Sequence, residues 1–557
     1  MADNRTGNKS SKNNFIMQAG VLAAAGIISR IIGLLYRGPL QSVIGPLGLG
    51  YYQSAYNFYL IVLLVSSYSI PSAISKVIAQ KLGAKEYRNA HRVFLCSLAY
   101  VLVVGGVASL FLFFGAGLFV SGEAIPVLQT FAPTIFVYGI VGVLRGYFQA
   151  HKSMAQTSVS QILEQIANAV ISVGGAYLLI RMNMGGMEIP TDEAGQIKRA
   201  TFGAIGSALG TGSGVVVALL FMLAVYALNR RTIHKRITRD KHKRVDSYGT
   251  ILKMITTVVT PFILSTAIYN LSGTVNNTIY TIILPKIKEI GSVDIYTRYS
   301  YLSGQAMTIS NIPVAFATAM ASAMIPSVAQ LIAAKDMRGA KDKIGMAVKS
   351  TMVISIPCAV GLFVLATPIT CLLFTNTKEE ADFAGRLLMT LALSVVFYAL
   401  STLNSSILQG LGKVNTPIIN AAIALVVQTV VAVGLLFFTE LDLYSIAIAN
   451  TLYSGIMCVL NQAAVRRATG YRQEIARTFV IPVLASVFMG ASAWVVYEIL
   501  MMLTASMRIS VIPAILVAVI VYFAMLLLMK GMTEQELRGF PKGYLLVKVA
   551  KKCRLLR

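Results

Sequence analysis

"IPSAISKVIAQKLGAKEYRNA", from Ile70 to Ala90, returns as "IPSVAQLIAAKDMRGAKDKIG", from Ile325 to Gly345. Each copy closes an apolar stretch and enters a loop rich in Lys and Arg. A second pair keeps the same order: "YFQAHKSMAQT" (Tyr147–Thr157) and "ILQGLGKVNT" (Ile407–Thr416). A weaker third pair joins "GAIGSALGTG" (Gly203–Gly212) to "YSIAIANTLYSG" (Tyr444–Gly455). Apolar segments resemble one another by chance, but these matches carry polar residues in register. All three set six apolar stretches against the next six, so the chain reads as a duplication.

Outward from the repeat, about fourteen apolar stretches can be marked from Phe15 onward, each roughly 20 residues or longer, enough to cross a bilayer. The expected fold is an all-α polytopic membrane protein. Its two parallel six-helix lobes span 15–228 and 251–465, joined by a basic linker at 229–250. Two appended helices follow in 476–530, with a cytoplasmic leader at 1–14 and a basic tail at 531–557. An even number of spans per repeat preserves orientation, so the lobes are related about an axis along the membrane normal. Alternating-access transporters are built this way, with the site between the lobes.

Apolar residues make up 56% of the chain and charged residues 13%, with a mean hydropathy of +0.71. These values exclude a soluble globular domain. The net charge of +26 belongs mostly to loops such as Arg230–Arg244. About 30 of the 48 Lys and Arg fall in the loop set holding both termini and about 8 in the opposite set, which places both ends in the cytoplasm. Such loops rest on anionic headgroups, and nucleic acid is not an expected partner. The first apolar segment is too long for a signal-peptide core and should stay as a span. Five cysteines at unrelated spacings read as small buried hydrophobes.

The sequence carries no HExxH, nucleophile elbow, phosphate loop or carboxylate cluster, so neither an enzyme nor a metal or organic cofactor is expected. All four histidines fall in expected cytoplasmic loops. Glu164, in "SQILEQIANAV", is the acid at membrane depth. It either pairs with an arginine or takes up a proton or sodium ion during transport. Arg30 and Arg37 lie seven residues apart on one helical face. An arginine at this depth faces water or a partner, or snorkels to the headgroups. Arg298 opens the eighth stretch, while Arg145 and Arg386 read as interfacial. The seventh stretch, 251–284, carries Asn270, Asn276 and Asn277; the eighth, 295–330, is interrupted by Gly304, Gln305 and Pro313. Polar, broken helices persist at depth only against protein or water, so these two should line a cavity. The candidate binding set is therefore Arg30, Arg37, Glu164, Asn270, Asn276, Asn277, Arg298 and Gln305. Guanidinium groups in a cavity suit phosphate or diphosphate, which arginine grips in bidentate fashion. The aromatic run Tyr51, Tyr52, Tyr56, Phe58 and Tyr59 reads as an interfacial belt.

"SRIIGLLYRGPLQSVIGPLGLGYYQSAYNFY" (Ser29–Tyr59) resembles the opening of the polysaccharide-exporter branch of the multidrug/oligosaccharidyl-lipid/polysaccharide (MOP) superfamily. It looks most like the stage V sporulation protein B group, related to MurJ-type lipid II flippases. "NIPVAFATAMASAMIPSVAQLIAAKDMRGAKDKIGMAVKS" (Asn311–Ser350) is similar to the second-lobe counterpart. The resemblance implies a two-lobed, MATE/MurJ-like fold with a central cavity. The implied cargo is an undecaprenyl-diphosphate-linked sugar for cell-wall or polysaccharide synthesis, its lipid tail lying beside the last two spans. Ser29–Arg30 followed by Gly33 matches the first-span arginine of the flippases. Their second arginine aligns at Tyr36, one position before Arg37, and their eighth-span arginine aligns near Gln305–Thr308 rather than at Arg298. The expectation is a monomeric flippase of the bacterial cytoplasmic membrane. A cation-coupled drug exporter on the same fold is the alternative, and a membrane enzyme or scaffold for polyprenyl-linked sugars a more distant one.

Overall fold

Gly45 adopts φ 72°, and Pro46 follows it. Glycine tolerates that left-handed backbone, and the proline ring disfavours continued helix before it. The break divides helix α2 (Arg37–Leu63) into segments 37–44 and 46–63. In this computed structural model the described residues are 24–534 except 69, 152, 239, 241–244, 290, 334 and 375–376, together with 544, 547, 548 and 551. The expected leader and most of the tail lie outside them.

Among the described residues the chain is helical, without strands. Helix α1 is Ala24–Leu35. After α2 come α3 (Ile70–Gly83), α4 (Tyr87–Phe114), α5 (Ala116–Phe119), α6 (Ala124–Ala150), α7 (Met154–Met184) and α8 (Glu193–Thr238). Next are α9 (Tyr248–Thr278), α10 (Leu284–Lys288), α11 (Ser292–Tyr299), α12 (Met307–Ala333), α13 (Met337–Val364) and α14 (Ala366–Leu373). The remainder are α15 (Lys378–Gly410), α16 (Asn415–Phe438), α17 (Leu443–Thr469), α18 (Ile481–Thr504) and α19 (Met507–Leu528). Wide π turns occupy Leu64–Tyr68, Ile279–Ile283, Ser300–Ala306 and Ala476–Val480.

Ten helices among the described residues are long and apolar enough to cross a membrane. The count of fourteen is not reached there. The other four stretches of the sequence reading fall on α1, on α2–α3, on α9 with its π turn, and on α11–α12.

The chain divides into two compact units, Met1–Ser300 and Tyr301–Arg557. Their internal geometry repeats. Lys85 and Lys335 take matching left-handed turns, φ 62° and 57°, and Glu86 and Asp336 then precede α4 and α13. Both of those helices run into a short helix, α5 or α14, that ends in an extended residue, Val120 or Phe374. In the first unit α6 packs on α3, α4 and α8; in the second, α15 packs on α12, α13 and α17. In the first unit α9 packs on α2, α3 and α4, and in the second α18 packs on α13 and α19 on α14.

In the first unit, α7 and α8 lie unusually close. A Cβ on Gly206 would sit 2.5 Å from Gly175 backbone, and one on Gly210 would sit 2.3 Å from Ser172. With Gly214 these glycines recur every fourth residue, the small-residue spacing that lets helices touch within hydrocarbon. The chain beyond α8 is pinned back onto α3 and α4. Lys81 Nζ lies 2.5 Å from Asp246 and 2.9 Å from Glu86, and the Asp246 amide donates to Asn89 Oδ1 at 3.0 Å. After α17, Tyr471 is likewise buried against α13, beside Gly345.

Candidate functional site

The first unit gathers most of the candidate residues. On α2, Arg37 Nη1 donates to Gln53 Oε1 (3.3 Å), and Gln53 Nε2 donates to Asn57 Oδ1 (3.2 Å). Gln53 and Asn57 are four residues apart, one helical turn, so their amides stack on the same face. Asn57 Nδ2 then donates to Tyr299 Oη at 3.1 Å. From α9, Thr274 Oγ1 reaches the Asn57 carbonyl at 3.5 Å. Asn277 Nδ2 donates to both the carbonyl and the hydroxyl of Ser54, at 3.2 and 3.1 Å. A guanidinium on α2 is thus continuous with amides on α2, and α9 touches that chain through Thr274.

Asn276 and Asn277 are buried, whereas Asn270 is exposed a turn and a half away on α9. Arg30 on α1 and Arg298 on α11 are both exposed. Gln305 lies in the second unit, fully buried within the π turn Ser300–Ala306. The structure therefore joins Arg37 to the seventh stretch through Gln53 and Asn57, while Ser54 bonds Asn277 separately. Sequence reading missed those three; a polar i, i+4 pair inside an aromatic run was the available signal.

Two expectations are corrected. Arg145 was read as interfacial, yet it is 4% exposed. Its Nη2 donates to Glu164 Oε2 at 2.7 Å and its Nε to Ser160 Oγ at 2.8 Å. Of the two readings of Glu164, the pairing is the one seen. The aromatic run is likewise no belt. Tyr51, Tyr52, Phe58 and Tyr59 belong to the buried core, with Tyr51 edge-on to Tyr296 and Tyr59 stacked on Phe131, each at 4.9 Å between ring centres. Offset and edge-to-face rings favour each other, and α2 faces protein there rather than the headgroup layer.

A polar ladder continues upward from this core. Tyr52 Oη meets Thr211 Oγ1 at 3.1 Å, Thr211 donates to Asn168 Oδ1 at 3.3 Å, and Ser172 Oγ donates to the same oxygen at 2.8 Å. In the second unit Asn461 Nδ2 donates to Ser401 and Ser405, and Asn420 donates to Asn461. Outside the spans, His151 follows α6 and its Nδ1 donates to the Tyr147 carbonyl at 2.9 Å. Burial and the nearby charge of Arg236 lower its pKa, against the pull of that hydrogen bond.

A family model described as lipid II flippase MurJ matches residues 88–513. The chain is 24% identical over 503 residues to the lipid II flippase MurJ of Bacillus subtilis (strain 168), covering 86% of this chain and 88% of that relative. It is 22% identical over 539 residues to stage V sporulation protein B of the same organism, covering 95% and 98%. Among solved structures it resembles lipid II flippase MurJ in an inward closed conformation, with TM-score 0.61 and 17% identity over 92% of this chain and 98% of that one. It also resembles an inward-facing multidrug-resistance MATE family transporter of the MOP superfamily, with TM-score 0.64 and 18% identity over 81% and 98%. The structural likenesses establish a MATE/MurJ-like fold, and the ten apolar helices with the family match mark a multi-pass membrane protein. With a matched segment covering well over half its length, this chain belongs to the lipid II flippase MurJ family.

Proposed function

We propose that this chain flips an undecaprenyl-diphosphate-linked cell-wall or polysaccharide precursor, similar to lipid II, across the bacterial cytoplasmic membrane by alternating access. Family membership supports the transport class. The observation that carries the substrate class is the Arg37–Gln53–Asn57 chain, which holds a guanidinium among amides inside a membrane-spanning unit. Guanidinium grips phosphate oxygens in bidentate fashion, and amides hydrogen-bond sugar hydroxyls. Arg30 and Arg298 supply further positive charge in this reading, and Asn270, Asn276 and Asn277 meet the sugar. An inside-negative potential drives an anionic headgroup outward, at about 2.3 kcal/mol per charge per 100 mV.

The test is translocation of a labelled lipid-linked sugar by purified protein in liposomes. Wild-type protein should move label to the far leaflet, and Arg30→Ala and Arg37→Ala proteins should move less. Equal transport by all three, or none by wild type, would defeat the reading.

A further inference from the structure

Helix α7 carries Thr157, Gln161, Glu164, Asn168 and Ser172 at steps of four, three, four and four residues. That spacing sets all five on one face. Thr157, Asn168 and Ser172 are buried, and Gln161 and Glu164 half-buried. The Asn168–Ser172 end is satisfied by the ladder to Thr211. The other end is not: Thr157 Oγ1 and Gln161 Oε1 are buried without a hydrogen-bond partner, as is Ser29 Oγ on α1. A Cβ on Gly33, one turn after Ser29, would lie 3.6 Å from Gln165 Oε1, so α1 and α7 meet at this level. Buried polar atoms left over along one stripe are places where water is held. The stripe leads from the start of α7 to the Glu164 carboxylate.

Beside α1, whose exposed Arg30 follows Ser29, three packed helices bring groups toward Glu164. From α6, the Arg145 guanidinium holds one carboxylate oxygen. From α2, Tyr59 lies within electrostatic reach of Glu164 and of Tyr138 on α6. From α8, Gly214 brings only backbone, its Cβ position 2.6 Å from the Glu164 carbonyl. Arginine stays protonated in proteins, so Arg145 must always face an anion or water. Among the described residues, Glu164 is the carboxylate bonded to Arg145.

Building on the flippase reading, we propose that Arg145 is a second binding group for the substrate's diphosphate, unmasked when Glu164 takes up one proton. The proton arrives from water along α7, the carboxylate becomes a neutral carboxyl, and a phosphate oxygen replaces it on the guanidinium. The proton neutralises Glu164 as one ionised phosphate group takes its place, so the Arg145 guanidinium keeps one anionic partner throughout; the diphosphate's second negative charge is met outside this pair. Binding of the two ligands is then reciprocal: protonation favours the diphosphate and the diphosphate favours protonation.

The experiment measures binding of a short-chain prenyl-diphosphate-linked sugar to full-length protein in nanodiscs by calorimetry, in two buffers of different ionisation enthalpy. The ligand is a diphosphate diester, with no group of its own titrating between about pH 5 and 8, the window sampled. Wild-type protein should take up about one proton per ligand, and its affinity should fall by up to about tenfold per pH unit as pH rises. Glu164→Gln should bind without proton uptake and with a flat pH profile; Arg145→Gln should bind more weakly, also with a flat profile. Binding by wild type with no proton uptake would overturn the proposal while leaving the flippase reading intact, and this measurement stands even if either variant fails to fold. A Glu164→Gln profile keeping the wild-type slope would overturn it as well. Absence of any binding or translocation by wild type would remove the flippase reading itself, and this inference with it.

Discussion

Arg145 on α6 and Glu164 on α7 form an ion pair at 2.7 Å, with side chains 5% and 14% exposed. Removing water from two charges is costly, and their attraction offsets the cost only while both remain. Single substitution of either by alanine should therefore destabilise the protein by about 3–5 kcal/mol, whereas replacing both by neutral residues of similar volume should cost less. Unfolding midpoints of purified single and double variants check this. An additive double variant would show that the pair is not coupled.

Arg37 should matter to transport more than an arginine of similar type elsewhere in the spans. Hydrogen bonds to a charged group are worth about 1.5–3 kcal/mol, so Arg37→Ala should lower the translocation rate by roughly 10- to 100-fold. Arg386 is exposed at the start of α15. Arg386→Ala should leave the rate near wild type. Initial rates in liposomes compare the two, and equal losses would detach Arg37 from the site.

Asn277 is buried and makes both of its amide donations to Ser54. Asn277→Ala should cost about 1–3 kcal/mol, because the Ser54 groups lose their partner without regaining water. Thermal unfolding in detergent reads the loss. A shift too small to resolve would show that water reaches this point of α9.

At Gly206 a side chain has nowhere to go, since its Cβ would meet backbone of α7 at 2.5 Å. Gly206→Val should force α7 and α8 apart, costing about 1–3 kcal/mol or more and lowering the yield of folded protein. Gly174, with nothing within 4 Å of its Cβ position, is the matched control. Gly174→Ala should accumulate like wild type in size-exclusion profiles.

His151 gives a pH signature of stability. Its pKa is lowered in the folded state from an ordinary value of 6.5, so the unfolded chain binds the proton more readily. The stability it contributes is full above the unfolded pKa and falls away as pH drops from about 6.5 toward and through the lowered value. His151→Gln should flatten the decline of the melting temperature between about pH 7 and 5. A slope unchanged from wild type would assign that decline to other groups.

The architecture was legible because its signals are redundant. Helix length, apolar content and a repeat with polar residues in register all point the same way, and the matching turns at Lys85 and Lys335 carry the repeat into the backbone, five residues off the pairing of Ile70 with Ile325. The number of crossings was less legible. At Gly45 and at the π turns, apolar runs do not map one-to-one onto continuous helices. Within the candidate site, Arg37 and Glu164 stood out as charges at depth, but their partners did not. Arg145 is separated from Glu164 by a turn between two helices, and single-sequence spacing is silent about which faces meet across it. Gln53 and Asn57 were hidden by their neighbours: tyrosines are common both at headgroups and in cores, and only packing separates the cases. Divergence within the repeat hid more. Aligning Tyr147 with Ile407 puts Ser405, bonded to Asn461, where the first unit has Arg145, so the residue carrying the charge in one copy is a hydroxyl in the other.

Helix α8 is 46 residues long, about 69 Å at 1.5 Å per residue, more than twice the roughly 30 Å hydrocarbon thickness. Its final stretch, from Asn229 to Thr238, rises about 15 Å, nearly two screening lengths at physiological ionic strength. Arg230 and Arg231 open this stretch and Lys235 and Arg236 follow about 7.5 Å on, all four exposed. Arg236 lies near enough to His151 to oppose its protonation. One rod of helix thereby ties the electrical state of the turn after α6 to the cations at its own far end, and neutralising Arg236 should ease proton uptake by His151.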